Sequence, residues 1–334
     1  MSHELTTRAD GRVEFAYLAS DGTPWHGLGQ ALADGTSLDA WREAAGMDWK
    51  IKRGIVRYNT EFNGGQLELP DQHVLFRSDT KAPLGVVSRK YQVVQPGEVI
   101  EFFRDIAKAG GLELSAAGTI YGGKRFWATA KIGEASPASL ADKIGGYILI
   151  STSADGSLST EVRRTTVRTV CKNTLQMAMA DAPASFKVTH RSVFNPESIK
   201  EFMGLNTAAW DAFRHTVTSL ANVAMHEEEA ADVAVTLFGG GEKVRETAGF
   251  KKVLDLFNGG GMGSTMDGVF GTRWGFLNAV TEYADHHVRA RSDENRFVAS
   301  QWGAGADLKS RAFQSRKRCP RNSSASRRSR TRPV

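Results

Sequence analysis

The sequence predicts an α+β protein in which an antiparallel β meander with packed helices precedes a mostly helical C-terminal region. In residues 1–194, short apolar or β-branched runs alternate with Gly, Pro and Asp, as strands and turns do. In residues 195–314, apolar residues recur at intervals of three and four, which is typical of amphipathic helices. We therefore expect an α+β antiparallel-sheet domain over 1–194, a helical region packed on it over 195–314, and a disordered basic tail over 315–334.

The first predicted strands cover residues 51–58, 73–77 and 84–88, because each run is apolar or β-branched and is bounded by turn-forming residues. Residues 98–108 follow as a helix that a Gly-Gly pair ends. The apolar positions of this helix have helical spacing: Val99, Phe102, Phe103 and Ile106.

Two hairpins are predicted next. Residues 112–120 and 125–132 flank a turn that contains Gly-Gly, and residues 147–153 and 158–170 flank Asp155-Gly156. These dipeptides tolerate the positive φ angles of tight turns. The alternation of side chains along the last strand predicts that Arg164 and Arg168 share one face.

The remaining segments are predicted to be mainly helical. Residues 171–180 are expected to turn helical after the last strand, and residues 196–238 form one amphipathic helix or a pair. Residues 242–257 and 274–287 are further helices, separated by the Gly-rich loop 258–271. One apolar stripe of the segment 196–238 forms either part of the core or a contact between subunits. Its residues are Trp210, Phe213, Val217 and Leu220.

The net charge of +6 comes from the C-terminal tail. Residues 1–314 hold 35 basic and 37 acidic residues, so bulk charge does not make the globular part a nucleic-acid binder. Three interpretations of the tail are open: a phosphate-binding arm, a disordered segment without a role, or the product of a wrong reading frame. The last is suggested because residues 304–314 begin a helical pattern that then breaks. Its basic residues are Arg316, Lys317, Arg318, Arg321, Arg327, Arg328, Arg330 and Arg332.

Composition and motifs exclude several classes. Two cysteines, Cys171 and Cys319, build neither a disulfide framework nor a four-cysteine zinc site. The loop 258–271 has no Lys for a phosphate-binding loop and follows a helix, so both nucleotide-binding fingerprints fail. We predict no cofactor. Because no run of about 18 apolar residues occurs, we expect no membrane span and a cytoplasmic location.

Metal ligands are one candidate site. Glu282, Asp285 and His286 occupy neighbouring positions near the end of a predicted helix, and carboxylate and imidazole groups are metal ligands. The same pattern also fits a solvated helix end whose His suits the helix dipole. A metal-dependent enzyme is therefore an alternative, although we expect a non-enzymatic protein.

Cations and aromatic residues on adjacent strands are the other candidate site. They suit a groove that holds the phosphates of a single strand and stacks its bases, although a solvated sheet face has the same pattern. Arg163 lies beside these residues in the sequence. The predicted contacts are Lys124, Arg125, Arg164, Arg168 and Lys172 for phosphates and Trp127 for stacking.

Several segments in order resemble a phage- and plasmid-associated family, the domain of unknown function 932 family. They include PWHGLG at 24–29, GVVSRKYQVVQPGE at 85–98 and VRTVCKNTL at 167–175, with YILISTSADGS and WGFLNAVTEYADHH further along. The family pattern has His and Val where this chain has Ala154 and Thr169. The resemblance implies a phage or prophage protein in a bacterial cell.

The hairpins and helix are also similar in outline to phage single-strand annealing proteins of the Red-beta and Erf types. That similarity implies single-stranded DNA binding or annealing without sequence specificity, by a homo-oligomer. A structural or host-interaction protein is a further alternative, since fold outline alone does not determine function.

Overall fold

The computed structural model of the 334-residue chain confirms the α+β class. It describes residues 5–24, 27–60, 65–110, 113–135, 143–168, 174–176, 185–188 and 206–315. The predicted boundary at residue 194 and the tail after Ser315 lie outside these ranges.

The strands and helices follow the chain in this order. The strands are β1 (Phe15–Leu18), β2 (Gln30–Leu32), β3 (Ile51–Asn59), β4 (Gln66–Arg77), β5 (Pro83–Ser88), β6 (Glu113–Ile120), β7 (Arg125–Ala135), β8 (Ile144–Ser153), β9 (Thr160–Arg168), β10 (Thr174–Gln176) and β11 (Ser185–Val188). The helices are α1 (Leu38–Ala44), α2 (Pro96–Gly110), α3 (Asn206–Ala221), α4 (Glu227–Leu237), α5 (Ala248–Asp255), α6 (Arg273–Glu282), α7 (Asp293–Trp302) and α8 (Ala304–Ser315). Short 3₁₀ or π turns cover Ala19–Asp21, Tyr121–Gly123, Glu242–Glu246, Leu256–Gly260 and Tyr283–His287.

The described strands form a large sheet and a small one. The large sheet has the order β10-β9-β8-β7-β6-β1-β2, with β11 also paired to β9. Its centre, β6 to β9, is the antiparallel meander that the sequence predicts, and only the β1–β2 pair is parallel. The small sheet has the order β3-β4-β5 and is antiparallel throughout.

The meander carries one core between its inner face and α2. Val99, Ile100 and Phe103 on α2 are buried, as are Ile148 and Ile150 on β8. Helical spacing on α2 and alternation on β8 direct these side chains into a single apolar layer.

The helical region has its own core. Trp210, Phe213, Val217 and Leu220 are buried there, so the predicted stripe is core within the chain. Trp210 lies against Gly133 and Gly146, where a Cβ atom would come within 2.6 Å of its ring. Two strand glycines thus let the helical region approach the sheet closely.

One predicted element is wrong. Residues 174–176 of the expected helix 171–180 form strand β10, in which Leu175 pairs with Thr166 of β9. A ten-residue apolar pattern is too short to outweigh the hydrogen bonds that the edge of β9 offers. The rest of that segment lies outside the described residues.

Contacts that attach the small sheet to the meander include two that involve β5 and the segment after it. Tyr91 Oη donates to Ser153 O at 2.8 Å, and burial raises the pKa of Tyr91. Gly85 of β5 lies so close to the β8–β9 turn that a Cβ atom would be 2.8 Å from Asp155 Cα. No helix among the described residues is long and apolar enough to cross a membrane.

Candidate nucleic-acid interface

Arg164 does not lie on a solvent-facing groove, which corrects its predicted role. Its register partner is Ile148, and only 1% of Arg164 is exposed. Burial lowers the pKa of this guanidinium. A phosphate outside the protein therefore does not reach Arg164 in this structure.

Arg163 points to the opposite face of β9 and is also covered. It donates to the carbonyl of Gln301 and to the carboxylate of Glu161, and its guanidinium lies 5.8 Å from the Trp302 ring. Trp302 itself donates to Ser151 Oγ at 3.1 Å. Helix α7 thus occupies this part of the sheet face.

Of the other predicted contact residues, Trp127 is only partly accessible, and the side chains of Arg168 and Lys172 lie outside the described part of the structure. Trp127 is half-buried, its ring lies 5.8 Å from that of Phe15, and its indole nitrogen is buried. Arg168 pairs with Ile144 through the backbone, but its side chain lies outside the described part of the structure. Lys172 lies outside it altogether.

Lys124 lies in the turn between β6 and β7, and Arg125 is the first residue of β7, at the end of the large sheet. Lys124 is exposed, whereas Arg125 donates to Ser157 Oγ at 3.1 and 3.2 Å and lies 5.2 Å from the Tyr121 ring. Tyr121 has a φ of 57°, a left-handed conformation that is uncommon outside glycine. These contacts fix the direction in which Arg125 points.

Two further lysines meet at the base of the small sheet. Lys50 and Ser78 exchange hydrogen bonds of 2.8 and 2.9 Å, because they stand where β3 begins and β4 ends. Lys81 lies in the turn that follows and donates to the carbonyl of Ser78. Lys50 and Lys81 are both exposed.

Arg77 connects this base to the turn that carries Lys124. Its Nη1 donates to the carbonyl of Gly122 at 3.2 Å, two residues before Lys124. Cations from three chain segments therefore surround the junction of the two sheets; the three lysines are exposed and Arg125 is half-buried. We call them the sheet-end cluster: Lys50, Lys81, Lys124 and Arg125.

A carboxylate close to this cluster in the chain is paired: Asp79 lies two residues before Lys81. Asp79 accepts hydrogen bonds of 3.0 and 2.8 Å from Arg77, and this pairing lowers the pKa of Asp79 to about 2. In return, hydrogen bonds with Asp79 and Glu14 outweigh burial and raise the pKa of Arg77. Arg77 thus binds two carboxylates, Glu14 and Asp79, and neither of them pairs with a lysine of the sheet-end cluster.

The predicted metal ligands have other partners. Both Glu282 oxygens accept from the backbone N–H of Met262, at 3.0 and 3.2 Å, and Asp285 binds Lys309 at 2.6 Å. His286 is not assembled with them, since no group of three His, Cys, Asp or Glu side chains among the described residues is arranged to hold a metal ion. The metal-enzyme alternative therefore gains no geometric support.

The comparison with protein families assigns the chain to a family. Residues 83–302, more than half of the chain, match the family model described as "Domain of unknown function (DUF932)". The chain belongs to the DUF932 family. This match confirms the resemblance seen in the sequence. Neither a curated protein nor a solved structure matches this DUF932 protein significantly.

The DUF932 match covers only part of the sheet-end cluster. It begins at Pro83, the first residue of β5, so it contains Lys124 and Arg125 but neither Lys50 nor Lys81. Sequence reasoning missed these two lysines, because they are far apart in the chain and only the pairing of β3 with β4 brings them together. A sequence signal exists in hindsight: both flank short predicted strands.

Proposed function

We propose that this DUF932 protein binds single-stranded DNA without sequence specificity and that the sheet-end cluster holds its phosphates. The supporting observation is the junction of the two sheets, where exposed lysines from separate segments lie together. Lysines neutralise phosphates as mobile point charges, so such a cluster favours any polyanion and reads no base.

The distribution of charge along the chain supports the same region. Residues 50–91 contain eight basic and four acidic residues, whereas residues 1–314 as a whole contain slightly more acidic than basic ones. Among the described residues, no carboxylate lies within ion-pair distance of Lys50, Lys52 or Lys81. The positive field of the folded part is therefore concentrated on the small sheet and its base.

The family resemblance suggests the more specific part of the proposal, which is single-strand annealing by a phage or prophage protein. A phage or prophage protein that binds or anneals single strands in the bacterial cytoplasm as a homo-oligomer needs a cationic surface of this kind. Strand annealing by the purified chain tests that part separately from binding.

Binding is tested by fluorescence anisotropy of labelled single-stranded and duplex DNA at several salt concentrations. All chains carry Gln at the eight basic tail positions, so that the tail adds no affinity; we call this the tail-neutral chain. Lys81→Asn with Lys124→Ala is the test variant, since Asn tolerates the positive φ of Lys81. Lys243→Ala with Lys251→Ala removes two exposed lysines from the helical region as the matched control.

We expect salt-dependent binding that prefers the single strand and weakens about tenfold in the test variant, with the control unchanged. Equal losses in both variants would show diffuse attraction and overturn the assignment of the cluster. No binding by the tail-neutral chain at low salt would overturn the proposed function.

A further inference from the structure

Apolar side chains are exposed along the outer part of the small sheet. Tyr58 is 48% exposed, Leu67 50% and Leu69 36%. Soluble monomers rarely expose contiguous apolar surface of this kind unless it binds something. We call these three residues the hairpin strip.

The strip lies on the outer end of the β3–β4 hairpin. Tyr58 stands directly opposite Leu67, and Leu69 lies two residues from Leu67 along β4. The strand β5 pairs only with residues 72–76 of β4, so the outer end has two strands. Buried core residues such as Leu75 begin only where the third strand joins.

The charges of β3 decide between two occupants of the strip. Lys52 and Arg53 lie exposed on this edge strand, and among the described residues no carboxylate is within ion-pair distance of either, whereas Arg57 pairs with Glu68. A second copy of β3 at this edge would add the same unpaired positive charges, and like charges on adjacent strands destabilise a sheet. A polyanion with apolar faces fits this edge better than a second copy does.

We infer that the hairpin strip stacks the unpaired bases of a single strand whose phosphates reach the sheet-end cluster, an inference that rests on the proposed function. A single strand carries negative charge on its phosphate backbone, and the faces of its unpaired bases are apolar. Aromatic side chains stack on these faces without regard to sequence. A duplex hides these base faces. The strip thereby gives the chain its preference for single strands.

The length of the hairpin sets the length of the ligand. Tyr58 follows Lys50 by eight residues along β3, which is about 26 Å at the rise of a strand. A stacked strand advances about 3.4 Å per nucleotide, so about eight nucleotides connect the cluster with the strip. Shorter oligonucleotides occupy the cluster alone.

The experiment measures the affinity of the tail-neutral chain for single-stranded oligonucleotides of about 4 and about 16 nucleotides and for a duplex. Tyr58→Ala removes the ring and Tyr58→Phe keeps it. Phe270→Ala is the matched control, because Phe270 is an aromatic residue that is 59% exposed in the helical region. Sedimentation velocity of each variant reports the oligomeric state.

We expect Tyr58→Ala to weaken binding of the longer strand about tenfold while it leaves the shorter strand, the duplex and the salt dependence unchanged. Tyr58→Phe and Phe270→Ala bind like the parent. Equal affinity of parent and Tyr58→Ala for the longer strand overturns the inference but leaves the proposed function intact. A changed oligomeric state without a changed affinity shows instead that the strip binds a second copy. Absence of all binding by the parent overturns both.

Discussion

Arg77 binds Glu14 through two hydrogen bonds, from Nη2 to Oε1 at 2.6 Å and from Nη1 to Oε2 at 3.1 Å. The Arg77 side chain is 3% exposed and that of Glu14 is fully buried. Because Arg77 ends β4 and Glu14 precedes β1, this ion pair joins the small sheet to the large one.

Loss of this pair is expected to destabilise the fold strongly. Arg77→Met leaves the Glu14 carboxylate buried without its main partner, which typically costs about 3–5 kcal/mol in the free energy of unfolding. Arg57→Met breaks the exposed pair with Glu68 and is expected to cost less than about 1 kcal/mol. Urea denaturation of both variants measures the difference, and similar losses would contradict a structural role for the buried pair.

Asp79 makes the stability of the fold depend on pH in acid. Its pKa is about 2 in the folded chain, mainly because Arg77 donates hydrogen bonds to it, against an ordinary value of 3.8. The unfolded chain therefore takes up this proton first as the pH falls. The stabilisation is complete above about pH 4 and is lost as the pH falls towards 2.

Asp79→Asn isolates that contribution. We expect the wild-type chain to be more stable than the variant above pH 4 and the difference to shrink steadily towards pH 2. Chemical denaturation at a series of pH values measures it. A difference that is independent of pH would mean that the Asp79 carboxylate contributes no charge interaction.

Gly123 is required for the turn that carries Lys124. Its φ is +89°, and a Cβ atom there would lie 2.6 Å from the Trp49 ring and 2.9 Å from Arg77 Nη1. Gly122 has a similar φ of +67° but nothing within 4 Å. Gly122→Ala is therefore expected to cost about 1 kcal/mol, and Gly123→Ala clearly more because it also displaces Trp49. Thermal unfolding compares the two variants, and equal melting temperatures would refute the close packing.

Lys309 and Asp285 form a buried pair between α8 and the turn after α6. Their side chains are 3% and 6% exposed, and burial lowers the pKa of Lys309. Lys309→Met leaves the Asp285 carboxylate buried and is expected to cost about 3–5 kcal/mol. Lys252→Met, at an exposed pair with Asp255, is the control and should cost little. Denaturant titration measures the free energy of unfolding of both variants. If Lys309→Met costs no more than Lys252→Met, water reaches the Asp285 carboxylate.

The strands and helices were predictable where local pattern and burial agree. The apolar run of β8 and the Asp155-Gly156 turn predict the β8–β9 hairpin from local sequence. Residues 174–176 were not predictable in this way, because their strand exists only through hydrogen bonds with β9. Pairing with a neighbouring strand overrides weak local preference.

The candidate site was predicted only in part, for a related reason. Alternation shows that Arg163 and Arg164 lie on opposite faces of β9, but it does not show which layer covers each face. The core packs against Arg164, while α7 covers Arg163. Lys124 remains available because it lies in a turn at the sheet end, where it is exposed, while Arg125 is half-buried beside it at the start of β7.

The salt dependence of binding tests the central claim most directly. The slope of log affinity against log salt is measured on single-stranded DNA for the tail-neutral chain and for its Lys81→Asn, Lys124→Ala variant. Each phosphate contact contributes about 0.7 to this slope, so we predict that the slope of the variant is smaller by about 1.4. Identical slopes for the two chains would show that neither lysine contacts a phosphate and would contradict the assignment of the interface.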